Sequence, residues 1–132
     1  MIKKIDLPYP VNALEPYYSA ETLKIHYDIL YAGYVNNSNK TEEKLEQARR
    51  HSNFDNIKCL ERDLSFYGSG AILHQLFFEN MGPAIPTSPN VNLMQAINKD
   101  FGSYDVFKQQ FTEASKAVEA SRLVFVSMGS RV

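Results

Sequence analysis

The sequence predicts a mainly α-helical fold, a long antiparallel helical hairpin followed by two shorter helices, with a possible lone strand near the C-terminus. Residues 21–37 and 56–80 predict the two arms of the hairpin, because apolar residues recur in each at steps of three and four. Residues 51–56, between the arms, have the composition of a turn. Each arm also carries one histidine within its apolar row, His26 with Leu23 and Leu30 in the first and His74 in the second.

Size and composition limit the classes of function. The 132 residues carry a net charge of −1 and are enough for one domain or part of one. Basic residues form no stripe that would follow a phosphate backbone or a membrane surface. The single cysteine, Cys59, cannot form an intrachain disulfide, and the sequence has neither a signal-peptide pattern nor a long apolar span. We therefore expect a cytoplasmic, soluble protein that binds neither nucleic acid nor membrane.

The N-terminal region leads into the first arm. Residues 1–16 contain three prolines and predict an extended segment rather than a helix. Ser19 is a candidate N-cap of the first helix, and Glu21 then lies in the first turn, where the helix dipole favours an acidic side chain. The polar residues 36–41 predict a bend or break in this helix. The charged residues 41–50 then extend the arm into solvent.

The second arm carries two neighbouring apolar rows, which predict a helix buried around most of its circumference. Gly82 and Pro83 predict its end. The row that includes the histidine consists of Leu60, Leu64, Tyr67, Ala71, His74 and Phe78, and the adjacent row consists of Phe66, Gly70, Leu73 and Phe77.

Two shorter helices are predicted to follow. The first spans about residues 93–101 and ends at Gly102, and Ser103 is the N-cap of the second. Residues 123–128 have the composition of a β-strand. Because the chain offers this strand no partner, we expect either another chain to pair with it or the fold to be truncated here.

The two histidines are predicted to lie level with each other across the hairpin, because the midpoint of 26 and 74, (26 + 74)/2 = 50, falls next to the turn. A buried ring nitrogen without a partner costs about 1–3 kcal/mol. One metal ion would satisfy both imidazoles. The pattern alone leaves open the alternative that each histidine is an ordinary packed residue of the core.

Three segments resemble one protein family. LPYPVNALEPYYSAETLKIHYDILYAGYVNN, GSGAILHQLFFENMGP and INKDFGSYDVFKQQF occur here in the order typical of the iron/manganese superoxide dismutases, over about residues 7–121. The resemblance implies that His26 and His74 are ligands of an iron or manganese ion. It implies that Tyr34 takes part in the hydrogen-bond relay to metal-bound solvent, and that superoxide is the substrate. Gly70, four residues before His74, suggests the manganese type of site.

The sequence also departs from the family. Its other two metal ligands come from a D-x-x-x-H motif that this sequence lacks, and Asp105 belongs to an earlier helix. Arg122 and Leu123 stand where a glycine and a tryptophan are expected. The resemblance therefore predicts a helical-hairpin domain over residues 1–90 and a truncated start of an α/β domain over 91–132, with either a truncation or an unrelated, frame-shifted tail after residue 121.

Two functions are compatible with these features. The first is an iron- or manganese-dependent superoxide dismutase whose metal site is incomplete in this chain. The second is a catalytically inactive, dismutase-like helical module used in assembly or self-association. In either case we expect a homo-oligomer, a dimer or larger. Whether this chain is an enzyme stays open, because two of the four ligands are missing from it.

Overall fold

A computed structural model of the chain describes residues 1–85, 88–119, 124 and 126. The chain divides into two compact units, Met1–Ile85 and Pro86–Val132. All regular secondary structure in the described part is helical, so the prediction of a mainly α fold is confirmed. None of the described helices is long and apolar enough to cross a membrane.

The first arm is continuous and has three parts. Helix α1 spans Ala20–Lys24, a π-helical segment spans Ile25–Tyr31, and helix α2 spans Ala32–Arg50. The predicted N-cap is confirmed, because the Ser19 side chain accepts a hydrogen bond from the backbone N–H of Thr22 at 3.2 Å. A capping residue of this kind typically contributes about 1 kcal/mol to helix stability.

The predicted bend or break at residues 36–41 is wrong, because α2 runs through them without interruption. The polar side chains there have partners that are compatible with a helix. Thr41 donates its hydroxyl to the carbonyl of Asn37 at 2.8 Å. Asn39 binds both backbone groups of Ile2, accepting from its N–H at 2.7 Å and donating to its carbonyl at 2.9 Å. These polar residues therefore attach the N-terminal segment to the helix instead of ending it.

The second arm is helix α3, Ile57–Glu79. As predicted, a turn after Arg50 connects it to the first arm. Ala71 and Phe78, in the same row as His74, are buried. The adjacent row contradicts the prediction of burial around most of the circumference, since Phe66 is 58% and Leu73 37% exposed. Among the described residues, α3 is therefore buried mainly on the side that faces the first arm.

The core of the first unit is rich in aromatic rings and packs against the two histidines. Leu23, Tyr31 and Phe78 are fully buried in it. The N-terminal segment, which has no helix, covers this core and is held by side-chain hydroxyls. Tyr31 accepts from the backbone N–H of Ile5 at 3.2 Å, and Tyr9 donates to the carbonyl of Phe78 at 3.1 Å.

The second unit contains two helices, α4 at Val91–Phe101 and α5 at Tyr104–Lys116. Both predicted boundaries between them are confirmed. Gly102 ends α4 with φ 85°, a left-handed conformation that favours glycine. Ser103 caps α5 by accepting from a backbone N–H of its first turn. The strand predicted at residues 123–128 lies outside the described residues, apart from positions 124 and 126.

Candidate metal centre

His26 and His74 face each other across the base of the hairpin. Their ring centres lie 4.9 Å apart and the ring planes are nearly perpendicular, at 82°. Both side chains are half-buried. Zinc–imidazole nitrogen distances, for example, are about 2.0–2.1 Å, so rings at this separation are close enough to share one metal ion. The structure thus brings together the two histidines that the sequence singled out.

The π-helical segment decides which residues accompany His26. An α-helical period would place Leu30 in the buried row with it, but Leu30 is 49% exposed and that part of the prediction is wrong. In a π-helix the hydrogen bonds join residues five apart. Tyr31, five residues after His26, is accordingly the buried one. Its ring is stacked parallel to that of His74, with centres 6.1 Å apart.

His74 is held by the backbone of its own helix. Its Nδ1 lies 2.6 Å from the carbonyl oxygen of Gly70. A carbonyl oxygen only accepts hydrogen bonds, so Nδ1 must carry the proton and donate it. With the proton on Nδ1, a neutral ring has its lone pair on Nε2, and this is the form that binds a metal ion.

His26 has a side-chain partner. Its Nδ1 lies 2.8 Å from the hydroxyl of Tyr18, a residue in the turn before α1. Burial, and to a smaller extent the nearby His74, lowers the pKa of His26 and so favours the neutral imidazole. Burial also raises the pKa of Tyr18, which keeps its hydroxyl protonated. Sequence reasoning missed Tyr18, because this residue precedes the helix and the helical spacing therefore does not relate it to His26.

Tyr34 lies against His74, with ring centres 4.8 Å apart and planes at 34°. Glycine at position 70 makes this approach possible. A Cβ built on Gly70 would lie 2.5 Å from Cε1 and 2.9 Å from Cγ of the Tyr34 ring, closer than real Cβ contacts come. Gly70 therefore contributes twice, through its carbonyl to His74 and through its missing side chain to Tyr34.

The third histidine does not join this site. His51 is exposed and begins the turn at the other end of the hairpin. Within the described ranges, no group of three or more histidine, cysteine, aspartate or glutamate side chains could hold a metal ion. The candidate centre therefore offers two imidazole nitrogens, donors that suit iron and manganese when carboxylate or solvent oxygens complete the shell.

The sequence matches known families over most of its length. Residues 3–82 match the alpha-hairpin domain of the iron/manganese superoxide dismutases, and residues 89–131 match the C-terminal domain. The chain belongs to the iron/manganese superoxide dismutases. The second match continues beyond Ser121, so the expectation that the superoxide dismutase resemblance stops there, with an unrelated tail, is wrong.

Curated relatives belong to the same family, and their names specify iron or manganese/iron. An iron superoxide dismutase of Pyrobaculum aerophilum is 44% identical over 115 residues, which cover 86% of this chain and 54% of the relative. A probable iron superoxide dismutase of Bacillus subtilis is 43% identical over 113 residues, covering 86% and 40%. A superoxide dismutase (Mn/Fe) of Propionibacterium freudenreichii subsp. shermanii is 39% identical over 132 residues, covering 96% and 66%. The chain thus spans about half of the length of the relatives that it matches.

Proposed function

We propose that this chain supplies the helical part of a superoxide dismutase centre, with His26 and His74 as two ligands of an iron or manganese ion. The observation that carries the proposal is the pairing of two half-buried imidazoles, 4.9 Å apart, at the positions that the family resemblance assigns to ligands. His74 supports it further, since its Nδ1–H is engaged by the Gly70 carbonyl, which in the neutral ring leaves Nε2 as the nitrogen that carries the lone pair.

The proposed reaction converts two superoxide ions and two protons to dioxygen and hydrogen peroxide. One superoxide gives up an electron and the other accepts it. When bound, iron or manganese supplies the one-electron couple that this exchange needs. The remaining ligands would be oxygen or nitrogen donors from outside the described residues.

In this proposal Tyr34 handles protons. Its ring packs on His74, so its hydroxyl belongs to the same small site as the ligands. A phenol hydroxyl is both donor and acceptor, and it can hold a proton at its oxygen and pass it to a neighbouring solvent molecule. The close fit between Tyr34 and Gly70 fixes the position from which it does so.

Other sequence-based expectations belong to the same proposal. Residues 1–90 form the helical-hairpin domain and residues 91–132 the start of the C-terminal domain. The protein acts in the cytoplasm as a homo-oligomer. These stay predictions.

A second candidate function is a catalytically inactive, dismutase-like module that self-associates. Exposed apolar side chains on both arms favour it, because surfaces of this kind often mark association sites. They are Ile25, Ile29, Leu30, Phe66, Ile72, Leu73 and Leu76.

Metal content measured together with activity distinguishes the two functions. The full 132-residue chain is loaded with iron in one preparation and with manganese in another. We expect at least one preparation to keep its metal after purification and to dismute superoxide. His26→Gln and His74→Gln should each lose the bound metal. His51→Gln is the matched control and should retain it. Metal-free protein without activity, eluting as an oligomer, would overturn the proposal in favour of the self-associating module.

A further inference from the structure

We propose that Tyr18 is a positioning residue for the metal centre, and that its hydroxyl determines the orientation of the His26 ring and the nitrogen that carries the proton. This inference rests on the function proposed above. It starts from the 2.8 Å contact between the Tyr18 hydroxyl and Nδ1 of His26. Tyr18 precedes α1 and therefore lies outside the helical pattern of the first arm.

The two histidines differ in what their Nδ1 partners permit. At His74 the partner is a backbone carbonyl, which fixes one tautomer. At His26 the partner is a hydroxyl, which can either donate or accept. If Tyr18 donates, the proton of the neutral His26 ring sits on Nε2 and blocks metal binding. If Tyr18 accepts from Nδ1–H, the lone pair of Nε2 is free.

Metal binding therefore requires the second arrangement. The Tyr18 O–H must turn away from His26 so that its oxygen accepts from Nδ1. An outer partner that fixes the tautomer of a ligating histidine in this way raises metal affinity, and its loss typically costs about 10–100-fold.

Tyr18 is held well enough to orient a ring. Its backbone N–H donates to the carbonyl of the buried Leu14 at 3.1 Å, and the next residue, Ser19, caps α1. The Tyr18 ring also contacts Phe77 edge-on, with centres 6.5 Å apart. The neighbouring Tyr17 is 86% exposed, and it serves as a matched control.

The test compares wild type with Tyr18→Phe and Tyr17→Phe in the full chain. Long-range ¹H–¹⁵N correlation spectra of the histidine rings report the tautomer of His26 without any metal. We expect Tyr18→Phe to change the ¹⁵N pattern of His26 and leave that of His74 intact, and Tyr17→Phe to change neither. A Mn²⁺ titration should then show an affinity about 10–100-fold lower for Tyr18→Phe alone.

Unchanged His26 signals and unchanged Mn²⁺ affinity in Tyr18→Phe would overturn the positioning role. If wild type fails to bind Mn²⁺, the proposed function fails, and the metal-free spectra still decide the role of Tyr18. If Tyr18→Phe does not fold, wild type supplies the answer. A His26 Nδ1–H proton that is protected from exchange and shows a nuclear Overhauser effect to the Tyr18 ring supports the role, and its absence overturns it.

Discussion

The base and the tip of the hairpin each hold a histidine with the same local hydrogen bond. At the base, Nδ1 of His74 contacts the carbonyl of Gly70 at 2.6 Å, and at the tip, Nδ1 of His51 contacts the carbonyl of Gln47 at 2.9 Å. In both cases the carbonyl lies four residues earlier in a helix. The surroundings differ, since His74 lies among the rings of His26, Tyr31, Tyr34 and Phe78, whereas His51 is exposed.

Open space is found at the tip as well. A cavity of about 550 Å³ there is lined by residues that include Lys44, His51, Asn56 and Cys59. Most of the lining side chains are polar or exposed, and they do not include a second histidine. The comparison teaches that a local hydrogen bond and room for a ligand also occur where the described residues bring no second imidazole near. A second imidazole, brought within reach by packing of the two arms, distinguishes the base.

Removal of a buried aromatic ring should give the largest difference in stability between a mutation at the base and one at the tip. Phe78 is fully buried and contacts the rings of both histidines, with centres 5.2 Å from His26 and 6.5 Å from His74. We expect Phe78→Ala to lower the free energy of unfolding by about 3–5 kcal/mol, measured by chemical denaturation. Phe54→Ala, at the 49% exposed tip position, should change it by less than about 0.5 kcal/mol. Equal losses for the two variants would refute the picture of a packed base and an open tip.

Two glycines of α3 offer a finer comparison. Gly70→Ala places a Cβ against the Tyr34 ring, and overpacking of this kind typically costs about 1–3 kcal/mol. At Gly68 a Cβ would meet only the Ser38 hydroxyl at an ordinary 3.6 Å. Gly68→Ala should therefore stabilise the helix by up to about 1 kcal/mol. Denaturation midpoints that move in opposite directions would bear this out, and a gain in stability for Gly70→Ala would contradict it.

The smallest expected effect concerns pH. Burial, followed by the nearby His74, lowers the pKa of His26 below its usual 6.5. The unfolded chain then binds more protons than the folded one in this range. Stability that is present above about pH 6.5 is lost as pH falls through the folded pKa. Metal-free wild type should lose more stability than His26→Gln between pH 7.5 and pH 5. Parallel pH profiles of the two proteins would argue against a buried neutral His26.

Local signals in the sequence predicted much of this fold. Ser19, Gly102 and Ser103 mark helix ends because caps depend on neighbouring residues alone. The turn after Arg50 and the level placement of the two histidines also followed from spacing. Each of these features is encoded within a few residues or by the length of the arms.

Other features depend on contacts that spacing does not encode. The π-helical segment, which buries Tyr31 instead of Leu30, breaks the 3.6-residue period on which the prediction of the row relied. The contact between Tyr18 and His26 joins a turn to a helix. Asn39 belongs to the polar stretch that predicted a break in the helix. Its hydrogen-bond partner, the backbone of Ile2, is 37 residues away in the sequence, so the local pattern gave no sign of it.

A Mn²⁺ titration of the metal-free chain, followed through the ring signals of its three histidines, tests the central claim most directly. Bound Mn²⁺ broadens the signals of nuclei close to it. We predict that the signals of His26 and His74 broaden together, well before one equivalent is reached, while those of His51 stay sharp. Broadening that begins at His51, or that affects only one of the two base histidines, would contradict a shared metal centre.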